Sequence, residues 1–226
     1  MDSGATGKFS VLITGATGMV GEGVLLECLN HPAVERVLIV NRRASGVTHP
    51  RLKECIVPDF LDLERWADQL AGYDACFFCA GVSSLGMSEA QYRHVTYDVT
   101  LHFARTLVSR NKEMVFVYVS GALTDGSGRG RVMWARVKGQ TENALMGLPF
   151  RRVYNFRPGF MKPTPGQRNT QRYYKAIGWL YPVVHALVPN RVSTMREVAL
   201  AMIHSVMKGY PEQVLEIKDI NALAKA

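Results

Sequence analysis

The feature that most constrains the fold of this chain is a set of three glycines, Gly15, Gly18 and Gly21, in the stretch TGATGMVG. The stretch follows an apolar segment, KFSVLIT, typical of a buried strand, and opens a periodic segment that predicts a helix to about Asn30. Glycine at such a junction allows a tight turn and lets an outside group come close to the backbone. The amide groups and the positive end of a helix attract phosphate, so the stretch predicts a dinucleotide-binding site. The residues that we expect to contact the dinucleotide there are Gly15, Thr17, Gly18, Met19, Val20 and Gly21.

The next part of the chain repeats this alternation of short apolar runs and longer periodic segments. Further strands are predicted at ERVLIVN, ECIVP, DACFFCA, EMVFVYVS and FRRVYNFRP, and helices separate most of them. One helix, predicted over 88–110, opens with Ser88 and Gln91 at the spacing of a capping box. Continuous β-branched and aromatic strands separated by helices are typical of a parallel sheet that is covered on both faces. We therefore predict an α/β fold with a doubly wound parallel sheet of the Rossmann type.

The alternation weakens after Pro158, where helices are predicted over 170–188 and 193–208, followed by a short apolar run, VLEI. We interpret residues 159–226 as a small helical cap on the substrate side, over the carboxyl ends of the strands, where such sheets bind ligands. The chain has 226 residues, of which 47% are hydrophobic, so it can bury a real core. A single domain over 1–226 is predicted.

The formal charge of +8 indicates an acidic partner, such as a phosphate-bearing small molecule. The basic residues never form a run of five, and no stacking aromatics are interleaved with the arginines, which argues against nucleic acid. The N-terminus is polar, and the most apolar later stretch, 176–188, is shorter than the ~20 residues that a bilayer span needs. We expect a cytoplasmic protein without stable membrane insertion, and a homodimer is left open.

The cysteines and histidines do not form a metal-binding pattern. The four cysteines are Cys28, Cys55, Cys76 and Cys79, and the last two form a C-x-x-C. Positions three apart on a strand point to opposite faces, so this spacing predicts buried free thiols in a reducing compartment. His94 and His102 lie eight residues apart, and no acidic or cysteine partner has the spacing of a ligand. No metal site is predicted.

The preferred dinucleotide can be predicted from the end of the second strand, which reads Asn41-Arg42-Arg43. An NAD site usually keeps an acidic residue there, about 20 positions past the glycines, to bind the ribose hydroxyls. Here two guanidinium groups are available for a 2′-phosphate instead. These residues predict NADP(H), and the alternative is that both arginines are merely exposed to solvent.

With these motifs, the chain resembles the short-chain dehydrogenase/reductase superfamily, in particular its atypical, epimerase-like NAD(P)-binding members, including the branch of Tat-interacting-protein oxidoreductase homologues. The resemblance covers almost the whole chain. It is most specific in TGATGMVG, in Asp59-Phe60, in Cys79-Ala80-Gly81 after the fourth strand, in Ser120 after the fifth, in Lys138 and in Arg157-Pro158-Gly159. The resemblance implies that Asp59 and Phe60 contact adenine. The further cofactor-binding residues that it implies are Cys79, Ala80, Gly81, Lys138 and Pro158.

In that superfamily a serine and a tyrosine hold a carbonyl or hydroxyl oxygen, and the tyrosine exchanges a proton. The lysine binds the nicotinamide ribose and lowers the pKa of the tyrosine. The resemblance assigns these roles to Ser120 and Lys138, but Trp134 stands at the position of the tyrosine. Because an indole N–H can only donate a hydrogen bond, the acid–base role does not carry over. The candidate catalytic residues are Ser120, Lys138 and Trp134.

Two functions are consistent with this substitution. The first is an NADP-dependent oxidoreductase or epimerase-like enzyme with an unknown small-molecule substrate, whose proton donor is Tyr97, Tyr118, Asp125 or a water held by Ser120. The second is a non-catalytic NADPH-binding protein with a redox-sensing or scaffold role, in which Trp134 fills the space beside the nicotinamide. The arginines around the tryptophan could meet an acidic substrate or an acidic partner, or simply be solvated: Arg129, Arg131 and Arg136.

Overall fold

A computed structural model describes residues 7–170 and 192–226 of the protein. The helix predicted over 170–188 lies outside the described residues, apart from Thr170. The described strands are β1 (Phe9–Thr14), β2 (Val34–Asn41), β3 (Leu52–Ile56), β4 (Ala75–Phe78), β5 (Val115–Val119), β6 (Arg152–Phe156), β7 (Phe160–Lys162), β8 (Val192–Thr194) and β9 (Val214–Leu215).

Seven of these strands form one parallel sheet in the order β3-β2-β1-β4-β5-β6-β9. Strand β1 lies near the centre, and all six of its residues are buried. Leu12 pairs with Leu38 of β2 on one side and with Cys76 of β4 on the other. The chain crosses from one half of the sheet to the other between β3 and β4, which opens a crevice at the carboxyl ends of β1 and β4. The prediction of a doubly wound parallel sheet is confirmed.

Helices cover both faces of the sheet. They are α1 (Met19–Asn30), α2 (Ala67–Leu70), α3 (Glu89–Arg93), α4 (Val99–Arg110), α5 (Met133–Met146), α6 (Met195–Met207) and α7 (Ile217–Leu223). A short 3₁₀ turn (Glu64–Trp66) precedes α2. Apolar residues of α1, α6 and α7 form one core cluster with the sheet, and those of α2, α4 and α5 form a second cluster on the opposite face. The continuous apolar sequences of the inner strands β1, β4 and β5 are explained by these two layers, because these strands are covered on both sides.

The helix predicted over 88–110 is present but not continuous. Ser88 and Gln91 make the expected capping box at its start. A π-helical turn (His94–Asp98) then separates α3 from α4. Tyr92, Thr96 and Thr100 are buried at steps of four residues, so one face of this segment packs into the protein.

The C-terminal region differs in part from its interpretation as a cap over 159–226. Helix α6 packs against α1 and buries Val198, Ala199 and Met202 over the sheet, so it belongs to a flanking layer. The run VLEI contributes β9, which extends the sheet beside β6. The pair β7–β8 forms a separate two-stranded sheet beside these layers. Helix α6 lies in this layer because its apolar face covers an apolar face of α1.

Candidate functional site

The glycine loop between β1 and α1 is packed too closely for side chains. Gly15 has φ +69°, and a Cβ there would lie 2.7 Å from the backbone nitrogen of Ala80. A Cβ at Gly21 would collide with the carbonyl of Gly15. Gly18, the N-cap of α1, offers no side-chain acceptor, so the first-turn N–H groups of the helix are left to an outside acceptor. These features fit a dinucleotide diphosphate.

Two polar side chains that end their strands connect β1 to the residues after β4 and hold the glycine loop. Thr14 Oγ1 accepts the backbone N–H groups of Cys79 and Ala80, both at 3.1 Å. Asn41 Oδ1 accepts the N–H of Ala16 at 3.0 Å. Sequence reasoning missed Thr14, although a polar residue that closes a fully buried strand was a visible signal.

At the end of β2, Asn41 faces the interior and the two arginines that follow it face the solvent. Asn41 is buried and donates its amide to Glu54 Oε1 at 3.3 Å, so its side chain supports the loop. Glu54 also accepts the N–H of Ser45 at 2.8 Å. Arg42 and Arg43 are exposed, and neither has an ion-pair partner within the described part of the chain. Sequence reasoning did not foresee Glu54, because its position beside Asn41 depends on the pairing of β2 with β3.

The residues expected near the adenine and the nicotinamide lie at the same edge of the sheet. Asp59 is exposed, and its Oδ1 accepts the N–H of Leu61. The ring of Phe60 is buried 5.1 Å from that of Phe103, so this side chain belongs to the core. Gly81 is exposed, and no atom lies within 4 Å of a Cβ built on it. Cys79 and Ala80 are half-buried next to it, while Pro158 is buried after β6. Their contacts with a cofactor stay predictions.

The turn after β5 fixes the hydroxyl of Ser120. Ser120 is 7% exposed, and its Oγ lies 3.0 Å from Oγ1 of Thr124. Thr124 Oγ1 donates its single hydrogen to the carbonyl of Gly121 at 2.8 Å. Ser120 must therefore donate to Thr124, which leaves its lone pairs as acceptors. Leu123 within this turn has φ +67°, an uncommon conformation for a residue other than glycine.

Trp134 and Lys138 lie one turn apart on α5 and reach the end of β5. A Cβ built on Gly121 would lie 3.9 Å from Cζ3 of Trp134, so the indole borders this turn. Lys138 Nζ donates to the carbonyl of Val119 at 3.4 Å and lies 5.3 Å from the centre of the Tyr118 ring. Burial lowers the pKa of Lys138 to about 8, although the charge of Glu142 works in the opposite direction.

The proton donors considered from the sequence are not equally suited to the role. Tyr118 is buried, and desolvation raises the pKa of its phenol. The carboxylate of Asp125 accepts hydrogen bonds from Ser127, which are the main reason that its pKa is lowered. Tyr97 is half-buried in the π-helical turn, under the guanidinium of Arg93 at 4.0 Å. Tyr118 and Asp125 are therefore poor acids at neutral pH.

Of the three arginines near Trp134, one is already engaged. Arg136 bonds both carboxylate oxygens of Glu89, at 3.2 and 2.7 Å, and the carbonyl of Gly130. It therefore ties α5 to α3 and to the preceding loop. Arg129 and Arg131 are exposed.

A second engaged arginine connects α5 to the end of β6. Arg157 bonds Glu142, which is 1% exposed, and also bonds Glu216 at 2.9 Å. This network fixes α5 one turn beyond Lys138. Gly139 is needed on the same helix because a Cβ there would collide with the carbonyl of Asp125.

Within residues 7–170 and 192–226, no group of three or more His, Cys, Asp or Glu side chains could hold a metal ion. No helix of that part of the chain is both long and apolar enough to cross a membrane. The cysteines are free thiols, of which Cys79 is half-buried and the other three are buried.

A glycine-lined helix terminus at the switch point of a doubly wound parallel sheet, facing a serine and a lysine across β4, defines an NAD(P)-binding protein of the Rossmann type. The chain belongs to the NAD dependent epimerase/dehydratase family, which its residues 11–135 match. The description of that family names NAD as its cofactor. The resemblance stated from the motifs is thereby confirmed.

Curated relatives cover most of the chain. It is 30% identical over 162 residues to the protein fmp52-1, mitochondrial, of Aspergillus terreus, with 69% of this chain and 68% of the relative aligned. It is 26% identical over 201 residues to the protein HTATIP2 of Rattus norvegicus, with 81% of each chain aligned. Three fungal relatives are named as mitochondrial proteins, which contradicts our expectation of a cytoplasmic location.

A solved structure supports the fold. The Bordetella bronchiseptica enzyme WbmF, in complex with NAD⁺, superposes with a TM-score of 0.66 at 15% sequence identity. The match covers 97% of this chain and 77% of that enzyme. At this identity the comparison bears on the fold alone.

Proposed function

We propose that this protein is an NADP(H)-dependent oxidoreductase or epimerase-like enzyme that acts on a small molecule with a carbonyl or hydroxyl group. The observation that carries the proposal is the meeting of Ser120, Trp134 and Lys138 at the carboxyl end of β5, across β4 from the glycine loop. A bound nicotinamide would supply or accept the hydride. The protein itself binds the dinucleotide through the glycine loop and orients the reacting oxygen.

NADP(H) is proposed over NAD(H) because Arg42 and Arg43 follow β2 where an NAD site keeps an acid. Both are exposed and free of ion pairs among the described residues, so both are available to a 2′-phosphate. Oε1 of Glu54 accepts hydrogen bonds from the amide of Asn41 and from the N–H of Ser45, which supports a role of this residue in holding the loop.

Titration of the purified protein with NADPH and with NADH tests this preference. Charge-assisted hydrogen bonds contribute ~1.5 to 3 kcal/mol each, so NADPH should bind at least about tenfold more tightly. The double variant Arg42→Ala, Arg43→Ala should lose the preference. The adjacent exposed pair Arg151 and Arg152, at the opposite end of the sheet, is the matched control and should keep it. Equal affinities in the parent would rule out the NADP(H) assignment.

The proposed chemistry follows from which groups donate and which accept. Ser120 donates its hydrogen to Thr124, so it offers lone pairs to a substrate hydroxyl. The indole of Trp134 offers only a donor, which suits a carbonyl oxygen. Lys138, with a pKa of about 8 caused by burial, can change charge near neutral pH, so it can hold a ribose hydroxyl and exchange a proton there.

Turnover with a panel of aldehydes and ketones, and with the matching alcohols in the reverse direction, tests the enzymatic assignment. Ser120→Ala should remove turnover in both directions while NADPH affinity stays within about twofold of the parent, since the serine orients only the reacting oxygen. Ser109→Ala, an exposed hydroxyl at the end of α4, is the control and should change neither quantity. Equal turnover in Ser120→Ala and the parent would contradict the role of Ser120.

A second candidate is a non-catalytic NADPH-binding protein with a redox-sensing or scaffold role. The observation that favours it is the weakness of three expected acids near Ser120: tryptophan replaces tyrosine, Tyr118 is buried, and Asp125 is held as a carboxylate. Tight NADPH binding with no turnover of any panel compound would favour this candidate over the enzyme.

A further inference from the structure

The first turn of α1 carries a buried carboxylate, that of Glu22, with 5% of the residue exposed. Its oxygens accept the backbone N–H groups of Arg168 and Asn169 at 2.8 and 2.7 Å. These partners are 146 and 147 residues away in the chain, so only the tertiary fold brings them together. Glu22 thus holds a distant piece of backbone against the end of α1 that attracts phosphate.

The neighbouring Gln167 adds a second attachment. Its Nε2 donates to the carbonyl of Met19 at 2.7 Å, and its Oε1 accepts the N–H of Thr164 at 2.7 Å. Gly23 leaves room for this side chain, because a Cβ there would lie 3.2 Å from both amide atoms of Gln167. Residues 164–169, which we call the strap, are therefore attached to α1 through three hydrogen bonds that come from two side chains.

A carboxylate in this turn is electrostatically unfavourable for a diphosphate, because the two negative charges repel. A nearby cation can offset that repulsion. Arg168 is exposed, and its guanidinium has no ion-pair partner among residues 7–170 and 192–226. Because its backbone N–H is bound to Glu22, Arg168 lies beside the first turn of α1, and its long side chain extends from that position. A guanidinium fork is well suited to bind phosphate oxygens.

We infer that the strap is part of the dinucleotide site, an inference that rests on the proposed NADP(H) function. Glu22 and Gln167 are positioning residues that hold the strap against α1. Arg168 contributes its guanidinium to the diphosphate and offsets the charge of Glu22. The strap thereby brings residues that follow β7 into the dinucleotide site.

Affinity for NADPH tests the role of Arg168. Arg168→Ala should weaken NADPH binding roughly fivefold at low salt, as expected for an exposed charge pair, and the difference should shrink as salt screens it. Arg168→Lys, which keeps the charge, should retain most of the affinity. Arg196→Ala is the matched control, because Arg196 is exposed on α6 and lies near Glu27 of α1. Parental affinity in Arg168→Ala would overturn the assignment.

Limited digestion with trypsin, followed by mass spectrometry, tests the role of Glu22 without any turnover. Glu22→Gln keeps the size of the side chain but removes its charge, so the bond between Arg168 and Asn169 should be cut several-fold faster, and NADPH should slow this cut in the parent. Thermal unfolding of Glu22→Gln checks that the variant is folded, and Gln167→Ala serves as a second variant with the same expectation. Unchanged cleavage in both variants would overturn the positioning role.

The outcomes separate this inference from the proposed function. A parent that binds neither NADPH nor NADH would refute the proposed function, and the role of Arg168 with it. A parent that binds NADPH as tightly as Arg168→Ala does would refute the role of Arg168 alone.

Discussion

The proposed site has two halves, a cofactor half at the glycine loop and a catalytic half at the end of β5, and they depend on different features of the protein. In the glycine loop the constraint lies in the backbone, because Gly15 and Gly21 have no room for a Cβ and the groups that we propose for phosphate are backbone N–H groups of α1. At the end of β5 the side chains decide, because tyrosine or tryptophan at position 134 would give the same helix a different chemistry. Backbone packing thus constrains the cofactor half, while one side-chain substitution can change the chemistry of the catalytic half.

The largest effect is expected when the catalytic half is given back its acid. Trp134→Tyr should create or raise carbonyl reductase activity by roughly 10²- to 10⁴-fold, because a phenol beside Lys138 becomes a positioned general acid. Trp134→Phe is the control, since it keeps an apolar ring and should leave NADPH affinity nearly unchanged. NADPH oxidation with small aldehydes and ketones measures the effect. If the parent is already fast and Trp134→Phe abolishes turnover at unchanged affinity, the indole N–H is itself the catalytic donor.

The next largest effect is expected in the cofactor half. Gly21→Ala should lower the free energy of unfolding by about 1 to 3 kcal/mol, because its Cβ meets the carbonyl of Gly15, and it should weaken NADPH binding more than about tenfold. Gly7→Ala is the matched control, because no atom lies within 4 Å of a Cβ built on Gly7, and both quantities should stay at parental values. Equal losses in the two variants would contradict the difference drawn between backbone and side-chain control.

A smaller effect separates function from stability at Lys138. Its pKa in the folded protein is about 8, below the ordinary 10.5, because burial disfavours the ammonium. Between these two values the unfolded chain binds more protons, so the free energy of unfolding should rise with pH through this window. This contribution is complete above 10.5 and is lost as the pH falls through 8.

Replacement of the lysine should therefore have opposite effects on stability and binding. At pH 7, Lys138→Met should unfold at a higher temperature than the parent and lack the rise in stability, yet bind NADPH more weakly. Thermal unfolding between pH 7 and 10.5 measures this, with Lys112→Met on the surface as control. A lower unfolding temperature for Lys138→Met would show that the ammonium is stabilising.

The smallest effect is expected at a site that serves neither half. Asn155 on β6 is fully buried, and neither polar atom of its amide has a hydrogen-bond partner among residues 7–170 and 192–226. Asn155→Val should therefore stabilise the fold by about 1 kcal/mol, or roughly 2 to 4 °C in the unfolding temperature. NADPH affinity should not change. Asn155→Asp, which buries a charge, should act in the opposite direction, and a destabilised Asn155→Val would mean that the amide is satisfied in solution.

Much of the fold could be predicted from local patterns. The spacing of Gly15, Gly18 and Gly21 predicted the loop, and the continuous apolar segments predicted a parallel sheet. The capping box at Ser88 marked a helix start. The π-helical turn, the two-residue strand β9 and the packing of α6 on α1 were not predicted, because each depends on which apolar faces meet in the folded protein.

What the sequence determined by itself were the features whose cause lies within a few neighbouring residues: a turn that needs glycine, strands that read as buried, and a tryptophan four residues before a lysine. Only the tertiary structure decided the direction of the hydrogen bond between Ser120 and Thr124, the burial that shifts the pKa of Lys138, and the partners of Glu22. The physical reason is that proton direction, desolvation and long-range hydrogen bonds depend on atoms that folding brings together. A local sequence pattern does not show which atoms folding will bring together.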